Sequence, residues 1–115
     1  MNKISIIIPV YNEVKTIGEV IKRIEAINID KEIIAVDDGS TDGSLDILND
    51  IASEGRIKLI KHNKNSGKGA AIKTGLKAAE GNIIIIQDAD LETDPQDYYE
   101  LVGPIMEGKT RVVFG

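Results

Sequence analysis

The sequence predicts an α/β fold, an open parallel sheet with helices on both faces, and three observations carry that expectation. Short β-branched apolar runs recur at Ile4 to Val10, Ile33 to Val36 and Ile83 to Ile86, as in strands buried on both faces. Between them, apolar residues are spaced by three and four, the period of an amphipathic helix. Each run then empties into a polar loop. Strands alternating with helices lead to parallel pairing through right-handed crossovers.

Taken in order, Ile4-Ser5-Ile6-Ile7-Ile8-Pro9-Val10 is a buried strand stopped near its proline. From Val14 the apolar positions Ile17, Val20, Ile21, Ile24 and Ile27 predict a helix. Ile33 to Val36 is a second strand, broken by Asp37-Asp38-Gly39-Ser40-Thr41-Asp42-Gly43. A helix from about Gly43 presents Leu45, Leu48, Ile51 and Ala52 on one face, with Asp42 or Ser44 as its cap and Gly55 at its close. Ile57 to Ile60 is a weaker third strand. The helix that follows carries Ala70, Ala71, Ile72, Gly75, Leu76 and Ala79, a low-profile face suited to lying close against a sheet. Ile83 to Ile86 is the fourth strand. Asp94-Pro95 then reads as an N-cap and first-turn proline, opening a helix with Tyr98, Leu101, Val102 and Ile105 that Pro104 interrupts. Arg111 to Phe114 begins a fifth strand.

At 115 residues the chain has room for one domain with a modest core. The formal net charge of −5 argues against a nucleic-acid partner, which calls for a basic face. It also argues against simple attachment to anionic lipid. No apolar run is long enough to cross a bilayer, and no signal-peptide pattern is visible. The absence of cysteine fits a cytoplasmic protein.

The three richest polar clusters all follow strand ends: Tyr11-Asn12-Glu13, Asp37-Asp38-Gly39-Ser40 and Asp88-Ala89-Asp90. In open parallel sheets, ligands bind beyond the carboxyl ends of strands, where the strand order reverses. If the clusters form one site, strand one lies between strands two and four. Taken alone, Asp88, Asp90 and Glu92 are either a solvated acidic loop or a cation site. Carboxylates about 4 Å apart repel by roughly 4 kcal/mol at an effective dielectric near 20, so a close cluster needs a cation. In extended geometry the three would project to one side.

Several familiar sites fail on named residues. A dinucleotide fingerprint needs glycines after the first strand, and Pro9-Val10-Tyr11-Asn12-Glu13 has none. A Walker loop ending at Gly67-Lys68 needs glycine where His62 stands. An EF-hand starting at Asp88 would need glycine at Thr93 and glutamate at Tyr99.

Four words do match one family. Pro9-Val10-Tyr11-Asn12-Glu13, Val36-Asp37-Asp38-Gly39-Ser40-Thr41-Asp42-Gly43-Ser44, Asn65-x-Gly67-Lys68-Gly69-Ala70-Ala71 and Asp88-Ala89-Asp90-Leu91-x-x-x-Pro95 resemble, in order, the nucleotide-sugar glycosyltransferases of the GT-A fold. The resemblance is to glycosyltransferase family 2, and within it to the dolichyl-phosphate mannose synthase and polyprenyl-phosphate glycosyltransferase branch. It covers essentially the whole chain and implies a Rossmann-like nucleotide-binding half.

The resemblance implies roles residue by residue. Pro9, Tyr11 and Glu13 line a nucleoside pocket, with Val36 and Asp38 also near base or ribose and Ala89 at the nucleotide. An aromatic ring packs on a nucleobase, and a carboxylate accepts from base or ribose donors. Asp88 and Asp90 match the family's Asp-x-Asp, which holds Mg²⁺ or Mn²⁺ on the diphosphate, with Glu92 where relatives place a further ligand, often glutamine. Asp90 would take part in catalysis through that metal, and no other catalytic residue is assigned. Gly67-Lys68-Gly69 at a helix start is either a phosphate site, with free amides and Lys68 supplying positive charge, or a glycine-rich turn with a solvated lysine.

The implied activity is transfer of a hexosyl group from a UDP- or GDP-sugar, with inversion, to a polyprenyl phosphate or a glycan hydroxyl. Relatives continue past the fifth strand into an acceptor-binding half. Residues 1–115 are therefore expected to be a single donor-binding domain without that half, peripheral to the membrane's cytoplasmic face in a full-length form and open to self-association. The alternatives are a non-catalytic nucleotide-sugar module and a receiver-like Mg²⁺ signalling domain. The latter places its acidic pair after the first strand, whereas here the pair follows the second.

Overall fold

The computed structural model of the chain describes residues 3–91 and the backbone of 111–114. Five strands, β1 (Ile4–Val10), β2 (Lys31–Asp37), β3 (Lys58–Lys61), β4 (Ile83–Ile86) and β5 (Arg111–Phe114), form one parallel sheet in the order β3-β2-β1-β4-β5. Helices α1 (Ile17–Glu25), α2 (Ser44–Ser53) and α3 (Lys68–Ala78) connect them. Strand one does lie between strands two and four, and strand addition reverses there. The helix expected after Asp94-Pro95 lies outside the described residues, as does Glu92. Among the described residues, no helix is long and apolar enough to cross a membrane.

The period-two alternation of β1 builds both faces. Ile4, Ile6, Ile8 and Val10 enter the larger core with Ile17, Val20, Ile21 and Ile24 of α1 and Leu48 and Ile51 of α2. Ile7 enters the smaller one with Ile34, Val36, Ile84, Ile86 and Ala71 of α3. Burying an isoleucine contributes about 1.5–3 kcal/mol relative to exposure, so β1 anchors the sheet. Its proline is tolerated because of where it falls. The Ile7 carbonyl accepts from Gln87 on the β4 side and the Val10 carbonyl from Asp38 on the β2 side. Alternation therefore turns Pro9 toward β4, past the last β1–β4 pair, Ile7↔Ile86, where no ladder bond is lost.

α3 lies against the other face as its small residues predict. A Cβ on Gly75 would sit 2.5 Å from Cγ2 of Ile7, so the helix seats closer to β1 than a side chain there would permit. Leu76, expected on that buried face, is instead 36% exposed; Ala71 and Gly75 are the buried positions. In α2, Ser44, Leu48 and Ile51 are buried and Leu45 only half-buried. Its N-cap residue is Gly43, with φ +101°, while Asp42 Oδ1 accepts from the Ser44 amide at 2.9 Å. β3 is shifted one residue from the expected run, and Ile57 is buried just ahead of it.

At the amino end of the sheet, Glu32 ties three elements together. Its carboxylate meets Lys58 Nζ at 2.7 Å and accepts from Ser5 Oγ at 2.5 Å and from the Glu80 amide at 2.6 Å. Burial alone would raise its pKa, but the Lys58 ammonium, Ser5 hydroxyl and Glu80 amide outweigh it and hold the group at about 2, below its ordinary 4.5. A depressed carboxyl contributes stability above its unfolded pKa and loses it as pH falls through the folded one. The stability difference between wild type and Glu32→Gln, measured by urea unfolding, is therefore expected to be full above pH 4.5 and to shrink toward pH 2. A difference that stays constant across this window would refute the assignment.

Candidate functional site

A cleft of about 450 Å³ opens at the carboxyl ends of β1, β2 and β4. From β1 and its loop come Pro9, Val10, Tyr11 and Glu13; from β2, Asp38; from the loop into α3 and its first turn, Asn65, Gly67, Lys68 and Ala71; from β4, Asp88, Ala89 and Asp90. Seven of the predicted nucleotide residues thus meet in one cleft, joined by Asp90. Val36 does not. Its side chain is fully buried in the core facing α3, because position 36 shares its face with Ile34 and has no outlet to the cleft.

The loops after β1 and β2 are stitched together. Asn12, at φ +53°, donates its amide to Ser40 Oγ at 3.0 Å and accepts from the Thr41 amide at 2.8 Å. The Glu13 amide donates to Ser44 Oγ at 2.9 Å and the Val14 amide to Asp42 Oδ2 at 3.1 Å. These contacts present Tyr11 outward, 46% exposed. Thr16 Oγ1 donates to the Ala89 carbonyl and lies 3.1 Å from Glu13 Oε2, so the β1 and β4 loops are linked as well.

Asp38 is 2% exposed and organises the third side. Oδ1 lies 2.7 Å from His62 Nδ1 and accepts from the Ser66 amide at 2.9 Å. Oδ2 accepts from the Gly67 amide at 2.8 Å and Asn65 Nδ2 at 3.2 Å. Burial would raise its pKa; the His62 imidazole and the Ser66 and Gly67 amides prevail and hold it below the ordinary carboxylate value. The amides at this helix start are therefore not all free for phosphate, since those of Ser66 and Gly67 belong to Asp38. Its neighbour Asp37 is also buried, with Oδ2 accepting from the Ser40 amide at 3.1 Å.

On the fourth side, Lys68 Nζ pairs with Asp88 Oδ1, their side chains 57% and 39% exposed. At that exposure the pair is weakly held and can open to another anion. The extended geometry expected for residues 88–92 ends early, because the chain bends at 89–91 and Leu91 takes φ +68°. Asp88 and Asp90 face one cleft through that bend rather than through strand alternation. Among the described residues, no group of three or more His, Cys, Asp or Glu is placed to hold a metal ion. Two carboxylates do suit an ion such as Mg²⁺, which is commonly bound by one or two carboxylates plus substrate phosphates and water.

A family model described as glycosyl transferase family 2 matches residues 5–115. The chain belongs to glycosyl transferase family 2. Among curated relatives of this family 2 chain is an undecaprenyl-phosphate 4-deoxy-4-formamido-L-arabinose transferase of Enterobacter sp. (strain 638), 39% identical over 94% of this chain and 35% of its own length. The chain thus spans about a third of that relative. Among solved structures, S. aureus TarS 1-349 in complex with UDP-GlcNAc superposes with a TM-score of 0.77 at 29% identity, over 91% of this chain and 31% of that one. Glucosyl-3-phosphoglycerate synthase from Mycobacterium tuberculosis, in complex with Mn²⁺, UDP and phosphoglyceric acid, gives 0.74 at 31% identity, over 93% and 40%. The fold of the family 2 chain is therefore the GT-A fold.

Four contributors to the site were not assigned from the sequence: Val10, Asn65 and Ala71 in the cleft wall, and His62 behind Asp38. Asn65 sits inside a matched word but had no role there. His62 stands in the sequence only as the residue that excludes a Walker loop, and its signal is lateral. Asp37 pairs with Lys61 across β2 and β3, so the next residues, Asp38 and His62, come side by side.

Proposed function

We propose that this chain is the donor-binding domain of a glycosyltransferase that moves a glycosyl group from a UDP- or GDP-sugar to a polyprenyl phosphate. The observation that carries the reading is the convergence of Tyr11, Glu13, Asp38, Lys68, Asp88 and Asp90 on one cleft at the carboxyl ends of adjacent strands. The name of the Enterobacter relative supports the lipid-phosphate acceptor, and the ligands named with the two solved neighbours support nucleotide donor and divalent ion.

In this reading Tyr11 packs on the base, and Glu13 and Asp38 accept from base or ribose donors. Lys68 leaves Asp88 for a phosphate oxygen, which frees Asp88 to meet the nucleotide. Asp90 and Asp88 would hold Mg²⁺ or Mn²⁺, with Glu92 as a further ligand, and the ion when bound would supply Lewis-acid stabilisation of the diphosphate leaving group. A lipid phosphate brings an anionic oxygen that attacks the anomeric carbon as the bond to the diphosphate breaks, inverting the centre without a strong protein base. A sugar hydroxyl would need one. Among the described residues that line the cleft, Lys68 is the one cationic side chain, so it and a divalent ion are the means of offsetting the donor's negative charge.

Thermal unfolding with UDP, GDP and their sugars, each with and without Mn²⁺, tests this. A ligand at a hundred times its dissociation constant stabilises by about 2.7 kcal/mol. Asp90→Ala is expected to remove the metal-dependent increment while leaving the protein folded. No metal-dependent shift with any nucleotide would overturn the donor-site reading.

A further inference from the structure

We infer that His62 is a positioning residue of the nucleotide-sugar cleft, fixing the Asp38 carboxylate so that it holds the 65–67 loop ahead of Lys68. The inference rests on the donor-site reading for its functional consequence and on geometry for the positioning itself.

His62 follows β3, and its amide donates to the Asp37 carbonyl at 2.8 Å, extending the β2–β3 pairing one step beyond the strand. That step sets the imidazole beside Asp38. The ring is held at both ends, with Nδ1 2.7 Å from Asp38 Oδ1 and Nε2 2.8 Å from Thr74 Oγ1 on α3. An ionised carboxylate only accepts, so Nδ1 carries the proton, and in the neutral ring Nε2 accepts from the Thr74 hydroxyl. The ring thus braces the end of β2 against α3.

Asp38 needs such a brace because its two oxygens have different duties. Oδ1 takes the Ser66 amide, whereas Oδ2 takes the Gly67 amide and Asn65 Nδ2. Rotation of the carboxylate about its terminal bond breaks both sets, and that torsion is soft by itself. The short bond from His62 selects one orientation. Gly67 is the N-cap residue of α3 and Lys68 its first residue, so the loop held by Asp38 delivers the lysine that reaches Asp88. The His62 side chain is only 17% exposed and does not line the cleft, so it acts through Asp38.

The test compares His62→Ala, His62→Asn and His62→Gln with wild type. Asparagine places an amide nitrogen near the position of Nδ1 and can still donate to Asp38, whereas glutamine mimics Nε2 and reaches toward Thr74. Hydrogen exchange at the Ser66 and Gly67 amides, read without ligand, is expected to speed up at least tenfold in the Ala and Gln variants and to stay near wild type in the Asn variant. UDP affinity with Mn²⁺, measured by calorimetry, is expected to fall about tenfold in the same two variants and be rescued in the third. Should His62→Ala fail to fold, the Asn and Gln pair carries the comparison. Unchanged exchange and affinity in the Gln variant would overturn the inference, as would losses that follow Tm alone and ignore which nitrogen is retained. If wild type binds no nucleotide, the donor-site reading falls, and amide exchange still decides whether His62 holds the loop.

Discussion

Gly39→Ala is expected to destabilise the protein by about 2–5 kcal/mol, the sum of left-handed strain of about 1–2 kcal/mol and overpacking of about 1–3 kcal/mol. Gly39 has φ +76°, and a Cβ there would lie 2.5 Å from the Asn65 amide nitrogen and 2.6 Å from the Lys64 carbonyl carbon. Both obstacles are backbone, which cannot turn aside as a side chain can. Gly55 supplies the control, since its φ is +77° and nothing lies within 4 Å of its virtual Cβ. Gly55→Ala therefore carries the strain without the collision. Urea unfolding of the two variants isolates the collision as their difference. Equal losses would mean that the loops after β2 and β3 do not touch.

Asp38→Ala is the second large effect. It strips the acceptor from the Ser66 and Gly67 amides, Asn65 Nδ2 and His62 Nδ1 at once. Hydrogen bonds to a charged group are worth about 1.5–3 kcal/mol each and do not add freely, and each buried donor left without its acceptor costs about 1–3 kcal/mol. We expect a loss at the upper end of that range together with loss of nucleotide binding. Asp38→Asn, which keeps one acceptor but turns an amide group toward a donor, should fall between. The carboxyl is held below its ordinary 3.8, so its contribution is present at neutral pH and is lost only as pH falls below that value. The gap between wild type and Asp38→Ala in denaturant midpoint should close only in strong acid. A gap already closing near neutrality would contradict the hydrogen-bonding seen around Asp38.

Much of the cleft was legible because chain order and physics agree. Apolar runs such as Ile83 to Ile86 name their own strands, parallel pairing sends their polar successors to one edge, and three such successors meet only if β1 is central. What escaped depends on lateral register. Val36 and Asp38 stand two apart and lie toward the same face of β2, yet one ends in the core and the other at the cleft, because the strand stops between them. Leu76 is more apolar than Ala71, but Ala71 and Gly75, four apart, form the face on the sheet, and Leu76, one residue round the helix from Gly75, is left 36% exposed. His62 and Asp38 are separated by a whole helix in sequence and become neighbours only through the Asp37↔Lys61 pairing.

The stitching of the loops after β1 and β2 bears on how a ligand is received. Ordering a residue's backbone costs about 1–2 kcal/mol, and here Asn12, Glu13, Val14 and Thr41 have already spent that freedom on Ser40, Ser44, Asp42 and each other. The loss of motion falls on folding, not on association. A nucleotide reaching Tyr11 and Glu13 thus meets a surface whose entropy is already low, and more of each contact it makes survives as affinity.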